Sequence, residues 1–190
     1  SVLLWPRGAK AQISSAIEAA CAVGARYLSA AVHRVTRGAS EAAENQVQTL
    51  SYEAITATRT LDDAVRHYLS ESGGPTDSRA PVVHASNRAF RLRAAADLIA
   101  DIVPPPLTAY PRAREVLEAH TAAICARLDG GDANVSLPPI SDTLVPALRA
   151  EADGSELAVS AALPLVTAAA NIGELELTYP PAVAAEPART

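Results

Sequence analysis

The chain of 190 residues contains no methionine, one tryptophan and one phenylalanine, and aromatic residues make up only 4% of it. Its hydrophobic fraction of 49% is ordinary and is supplied mainly by alanine, leucine and valine. Small apolar side chains with few aromatic and few β-branched runs favour closely packed helices over sheets. The length is sufficient for one domain with a substantial core.

An excess of positive charge is also lacking, because 21 acidic residues outnumber 16 basic ones and the formal net charge is -5. A protein that binds nucleic acid without sequence preference needs a concentrated basic face that displaces counterions from phosphates. The composition therefore argues against nucleic acid as a partner.

Cysteine is scarce, and Cys21 and Cys125 lie far apart, outside any CxxC spacing. A domain of this size does not need a disulfide for its stability, so we expect two buried or half-buried thiols and a reducing compartment. The spacing alone leaves a disulfide open.

Motifs of catalysis and cofactor binding are missing from the sequence. It has no GxSxG, GxGxxG or GxxxxGK[ST] pattern. The histidines have no second metal ligand three or four residues away, so we expect surface or capping roles for them. These histidines are His33, His67, His84 and His120. Two carboxylate pairs, Asp62 with Asp63 and Asp97 with Asp101, could in principle share a raised pKa. However, Arg93 lies four residues before Asp97, and Arg59 and Arg66 flank Asp62 and Asp63, which predicts ordinary ion pairs on the helix surface instead. The sequence therefore predicts no enzyme activity, no metal and no cofactor.

Apolar residues recur at steps of three and four along most of the chain, which predicts an all-α fold. The predicted helices cover residues 10–37, 40–72, 81–103, 111–129, 141–153 and 155–178. The first two form a long N-terminal hairpin, with Ser40 as the cap of the second. We expect an elongated antiparallel bundle of five or six helices over residues 9–178, followed by a disordered Pro/Ala tail at 179–190.

Three of these helices carry more specific expectations. The third has apolar residues on two faces and is predicted to be the most central. Ser141 or Asp142 is predicted to cap the fifth helix, and Pro164 to kink the sixth. The most apolar segment, Leu157 to Ile172, looks too short for a membrane span.

One basic cluster supports a binding hypothesis. Its members lie on the third helix and across the Pro-rich turn that follows it: Arg88, Arg91, Arg93, Arg112 and Arg114. The two groups would converge on an anionic ligand, a lipid headgroup or an acidic partner. Solubility and local ion pairing are the alternative explanation.

The first eight residues, SVLLWPRG, are an apolar stretch that ends in Trp, Pro and Arg. Trp prefers the membrane interface, and basic residues directly after an apolar end are typical of a cytoplasmic exit from a membrane span. We therefore interpret residues 1–8 as the remnant of a membrane-proximal segment. An expression-vector remnant is the alternative. The membrane-proximal residues would be Leu3, Leu4, Trp5 and Arg7.

The run from Leu3 to Ala9, followed by the Ala-rich helix with Ala25-Arg26-Tyr27-Leu28, resembles fusaric-acid-resistance (FUSC-type) membrane proteins at the end of their first transmembrane block. The resemblance extends through Tyr52 to Leu69 and, more loosely, to the last heptad helix. It implies a helical, soluble domain on the cytoplasmic face of a bacterial inner-membrane transporter similar to aromatic-acid exporters. The implied partner is the transmembrane region of the same parent protein.

The resemblance implies that the domain serves assembly, regulation or partner contact, while the parent exports aromatic or other small organic acids. The long heptad helices also favour self-association into a homo-oligomer. The alternative is a free-standing helical protein that binds a small molecule or a partner.

Overall fold

A computed structural model describes residues 7–71, 79–130, 137–152 and 156–180 of the chain. Within these ranges there are six helices and no strand. The helices are α1 (Arg7–Arg37), α2 (Glu41–Glu71), α3 (Ala80–Ala100), α4 (Pro111–Leu128), α5 (Ile140–Glu151) and α6 (Glu156–Thr178). The predicted all-α class is confirmed, and the contacts between the helices fit an antiparallel bundle.

The turn between α1 and α2 follows the sequence signals closely. Gly38 has a positive φ of 90°, a backbone conformation that residues with a Cβ rarely adopt. The Ser40 hydroxyl accepts a hydrogen bond from the Ala43 N–H at 3.1 Å, so the predicted cap of the second helix is confirmed. Glu41 and Glu44 lie in the first turn of α2, where the helix dipole favours negative charge.

The most central helix is α1, which contacts α2, α3, α4 and α6. Its row Leu28, Ala31 and Val35 is fully buried. Small residues permit the close packing: a Cβ on Gly24 would lie 2.8 Å from Leu92 Cδ2 of α3. The core is therefore built around the first helix of the chain.

The prediction that the third helix is the most central is wrong. Its row Leu92, Ala96 and Ile99 is buried, but the other apolar row is open, with Leu98 58% exposed. Two apolar rows on one helix predict burial on both sides only if partners exist for both rows. Here α1, α2 and α6 cover only part of the circumference of α3.

Several predicted boundaries differ from the structure by a few residues. The α3 helix ends at Ala100 rather than Val103, before three consecutive prolines. The α5 helix begins at Ile140 with Pro139 at its N-cap, so Ser141 and Asp142 lie inside the helix instead of capping it. Tyr179, predicted to open the disordered tail, is buried in the core. The remainder of the tail from residue 181, the stub at 1–6 and the loop at 73–78 lie outside the described residues.

Candidate functional site

The α6 helix carries two apolar rows on different faces. Its inner row is buried against the bundle and includes Ala161, Leu165, Ala168, Ile172 and Leu175, as the heptad pattern predicted. Its outer row comprises Val159, Leu163, Val166 and Leu177, which are 70%, 66%, 44% and 78% exposed. The exposed Ala170 continues the outer row between Val166 and Leu177. We call these five residues the outer row; they form one stripe because their spacings are four, three, four and seven.

Among the described residues, one helical segment is long and apolar enough to cross a membrane, judged by length and composition only: Ala158–Thr178 of α6. This finding corrects the expectation that the apolar segment near Leu157 is too short. A helix in the core of a soluble protein passes the same test. The other faces of α6 pack on α1, α3, α4 and α5. The outer row is therefore the face of α6 that is available for contact with a partner outside the bundle.

A groove of about 770 Å³ lies between α5 and α6. Its walls are mainly apolar and include Leu144 and Val145 from α5 and Val166, Ala170 and Leu177 from α6. Arg127, Glu174 and Glu176 also line it. A mostly apolar groove of this size with a few polar groups falls within the range of small-molecule sites.

A buried polar network lies at the end of α5 beside this groove. His120 of α4 is 2% exposed; its Nδ1 is hydrogen-bonded to Glu176 Oε1 of α6, and its Nε2 lies 3.1 Å from Thr143 Oγ1 of α5. The second carboxylate oxygen, Glu176 Oε2, accepts the Ile140 N–H at 3.2 Å. The Thr143 hydroxyl also donates to the Ile140 carbonyl at 3.1 Å. The network therefore ties α4, α5 and α6 together.

The role predicted for His120 is therefore wrong, since its side chain is buried and hydrogen-bonded rather than on the surface. Its partners lie 23 and 56 residues away in the chain, so no local spacing could have revealed them. The outer row of α6, in contrast, was visible in the sequence as a second set of spacings beside the heptad row. The heptad row is the stronger of the two signals, and the prediction covers that row alone.

The five arginines of the predicted basic cluster do not converge on one site. Arg114 is buried, and its guanidinium donates to backbone carbonyls that include Val35 and Thr36 at the end of α1. Arg88 lines a cleft with Cys21 of α1. Cys21 and Val35 are 14 residues apart on one helix, which corresponds to about 21 Å. Arg114 thus has a structural role far from Arg88.

The other four arginines of the cluster lie in three different environments. Arg93 pairs with Asp97 at 3.2 Å and donates to Thr58 of α2 at 3.2 Å, so the predicted i, i+4 ion pair is confirmed. The Arg112 side chain is exposed, and its backbone N–H donates to Glu151. Arg88 and Arg91 line a common cleft, where α3 meets the end of α6.

The membrane-proximal residues of the sequence prediction are only partly covered by the structure. Leu3, Leu4 and Trp5 lie outside the described residues, and Arg7 is the first residue of α1. The predicted state of the thiols is confirmed, since Cys21 and Cys125 are both free and half-buried. Burial raises the pKa of the Cys125 thiol to about 11.

We compared the chain with protein-family profiles, with curated proteins and with solved structures, and none of them matches it.

Proposed function

We propose that this chain is a membrane-apposed helical domain and that the outer row of α6 lies against the cytoplasmic surface of a bacterial inner membrane. Its parent is a transporter of the FUSC type, which the N-terminal residues resemble, and its partner there is the transmembrane region of the same protein. The domain serves assembly or regulation, while the membrane spans of the parent export aromatic or other small organic acids.

The exposed outer row of α6 is the observation that carries this proposal. Scattered apolar residues on a surface need no explanation, but an aligned row of Val and Leu side chains along one helix is typical of a contact surface. Each such side chain gains about 1.5–3 kcal/mol when it is fully transferred from water to an apolar medium. Burial of the outer row in a bilayer interface therefore stabilises the membrane-bound state by several kcal/mol.

A vesicle flotation experiment tests the proposal. We expect the chain to float with phosphatidylcholine vesicles and the double variant Leu163→Ser/Leu177→Ser to remain at the bottom of the gradient. Both side chains are mostly exposed, so the substitutions leave the core intact. The matched control is Tyr52→Ser on α2, which is 64% exposed on a helix that contacts only α1 and α3 among the described helices. Equal flotation of all three proteins would overturn the proposal.

The gene that encodes the chain provides a second test of the parent. We expect hydrophobic windows of about 19 residues upstream of the codon for Ser1, because the proposed parent crosses the membrane before this domain. A complete reading frame without such windows would contradict the transporter assignment. It would leave the vesicle result unaffected.

The α5–α6 groove favours a second candidate function, the binding of a small apolar ligand by a free-standing protein. Its test is a thermal shift screen with aromatic acids and apolar amines. Ligand at about 100 times its dissociation constant adds about 2.7 kcal/mol to the free energy of unfolding. The variant Ala170→Leu places a larger side chain into the groove and should abolish any shift. A shift that persists in this variant would place the ligand elsewhere.

A further inference from the structure

We propose that the cleft between α3 and the C-terminal end of α6 binds the phosphate group of an anionic phospholipid. This inference rests on the proposed membrane contact of α6, and it adds a headgroup site beside that contact.

The cleft is built from one face of α3. His84, Asn87, Arg88 and Arg91 follow one another at steps of three, one and three, so their side chains lie on one side of the helix. Leu177, Thr178 and Pro180 form the opposite wall, and the space between the walls is about 600 Å³. Two guanidinium groups, an imidazole and an amide thus face one opening, and all four can donate hydrogen bonds.

The two arginines of this cleft lack the acidic partners that other arginines of the bundle have. Arg66 and Arg93 each pair with an aspartate four residues away. The side chains four residues from Arg88 are His84 and Leu92, and those four residues from Arg91 are Asn87 and Ala95. Within the described part of the chain, no carboxylate lies within 4.0 Å of the Arg88 or Arg91 guanidinium.

An acceptor is also missing at an atom that water does not reach. The Nε of Arg88 is buried and has no hydrogen-bond partner among the described residues. A buried donor without a partner costs about 1–3 kcal/mol, and a charged donor costs more. Since water does not reach this atom, a phosphate in the cleft would instead contact the remaining guanidinium nitrogens of Arg88, with Arg91 beside it to neutralise its charge.

The Arg88 side chain is preorganised in the absence of a ligand. Its guanidinium carbon lies 4.4 Å from the centre of the Tyr179 ring, in the geometry of a cation–π contact. Tyr179 is itself fixed, because its carbonyl accepts from Arg127 at 2.9 Å and its N–H donates to the Leu175 carbonyl at 2.8 Å. A preformed donor loses less conformational entropy when it binds an anion.

The position of Leu177 indicates a lipid rather than a free phosphate. This side chain is 78% exposed, belongs to the outer row, and lines both the α3–α6 cleft and the α5–α6 groove. A phosphate in the cleft therefore lies at one end of the apolar stripe. Basic groups at headgroup level beside leucines directed at acyl chains are typical of helices that lie in a membrane interface.

The test compares vesicles of phosphatidylcholine with vesicles that also contain phosphatidylglycerol. We expect anionic lipid to tighten binding of the wild-type chain, and Arg88→Gln/Arg91→Gln to remove that gain, which amounts to about 25-fold at about fivefold per arginine. The matched control Arg59→Gln/Arg149→Gln has the same net charge and alters exposed arginines on α2 and α5. Its affinity for the vesicles that contain phosphatidylglycerol should be within about twofold of the wild-type affinity, since these positions lie outside the cleft.

The possible results distinguish the proposed headgroup site from the proposed membrane contact of α6. If the wild type binds phosphatidylcholine vesicles and both double variants respond equally to phosphatidylglycerol, the headgroup site is overturned and the contact of α6 stands. If the wild type binds neither vesicle, both proposals fail. A gain lost only in Arg88→Gln/Arg91→Gln supports the site.

Two further measurements keep the result interpretable. Arg91→Gln alone changes only an exposed side chain, so a fivefold loss in this variant supports the site even if the double variant is less stable. Titration with soluble glycerol 1-phosphate distinguishes the two phosphate sources. Binding of this ester through Arg88 and Arg91 without any effect of these residues on vesicles would overturn the lipid assignment.

Discussion

At the scale of single residues, Arg114 joins segments that are distant in the chain. Arg114 is 6% exposed, and its guanidinium donates to five backbone carbonyls at the end of α1 and in the turn before α4. The acceptors are Val35, Thr36, Pro105, Pro106 and Ala109, at 2.5–3.2 Å. From the sequence, Arg114 is predicted to belong to a basic cluster, because residue spacing does not show which side chains are buried in the fold.

Replacing Arg114 by lysine should lower the free energy of unfolding by about 3 kcal/mol. An ammonium group has three donors and cannot reproduce the fork of five, so buried carbonyls lose their partners. Chemical denaturation measures the change. Arg112→Lys, on an exposed neighbour, should stay within about 0.5 kcal/mol of the wild type. Equal stability of the two variants would contradict the structural role of Arg114.

Glu118 makes the stability of the α1–α4 contact dependent on pH. Its carboxylate accepts from Arg37 Nε at 2.9 Å, from Arg37 Nη2 at 2.8 Å and from the Thr36 hydroxyl at 2.6 Å. These hydrogen bonds, with Arg37 contributing most, lower the pKa of Glu118 from 4.5 to about 2. The folded pKa lies below the unfolded one, so the stabilisation is complete above about pH 4.5 and is lost as the pH falls to about 2.

Denaturation of Glu118→Gln at a series of pH values tests this contribution. We expect the variant to be less stable than the wild type at neutral pH by about 1 kcal/mol, a modest value because water screens a half-exposed pair. The difference should shrink as the pH approaches 2. Arg37→Ala should produce the same loss, and the double variant should add little to it. A difference that stays constant from pH 7 to pH 2 would refute the assignment.

At the scale of helices, α5 depends on its neighbours more than the longer helices do. It has 12 residues, contains Pro146, and its N-cap Pro139 supplies no side-chain hydrogen bond. A helix of this length is marginal by itself in water. Glu176 of α6 replaces the missing cap, because its carboxylate accepts the Ile140 N–H and is hydrogen-bonded to His120.

Removal of the His120–Glu176 contact should destabilise α5 selectively. In His120→Ala and in Glu176→Ala, amide hydrogen exchange should accelerate in α5 by one to two orders of magnitude, which corresponds to about 2 kcal/mol of local stability. Exchange in α1 and α2 should change little. Glu174→Ala, an exposed site on the same helix, is the control. Unchanged exchange in α5 would show that packing alone holds this helix.

The elements that the sequence predicts well are those with local causes. Ser40 caps α2, Pro81 and Pro111 start α3 and α4, and the heptad rows mark the buried faces of α2 and α6. The start of α5 escaped prediction because its cap comes from Glu176, on another helix. The exposure of Leu98 escaped it because the number of partners around a helix is a property of the bundle.

At the scale of the whole molecule, the described bundle leaves one face of α6 uncovered. The inner row of α6 is packed on other helices, while its outer row is open and ends beside the cleft of Arg88 and Arg91. The sequence predicted the class of the fold and contained both rows of α6. It did not predict which arginines of the basic cluster make structural contacts and which remain available to a ligand. That difference depends on which carbonyls and carboxylates the fold brings near each arginine.

The contact of the outer row with lipid is tested most directly by a fluorophore attached at Leu163→Cys. Burial raises the pKa of both native thiols, so the introduced exposed cysteine reacts first. On vesicles whose acyl chains carry bromine, we predict strong quenching of the label at position 163 and none at Tyr52→Cys, on a helix that does not contact α6. Equal quenching at the two positions, or none at either, would contradict the assignment of α6 as the membrane-facing helix.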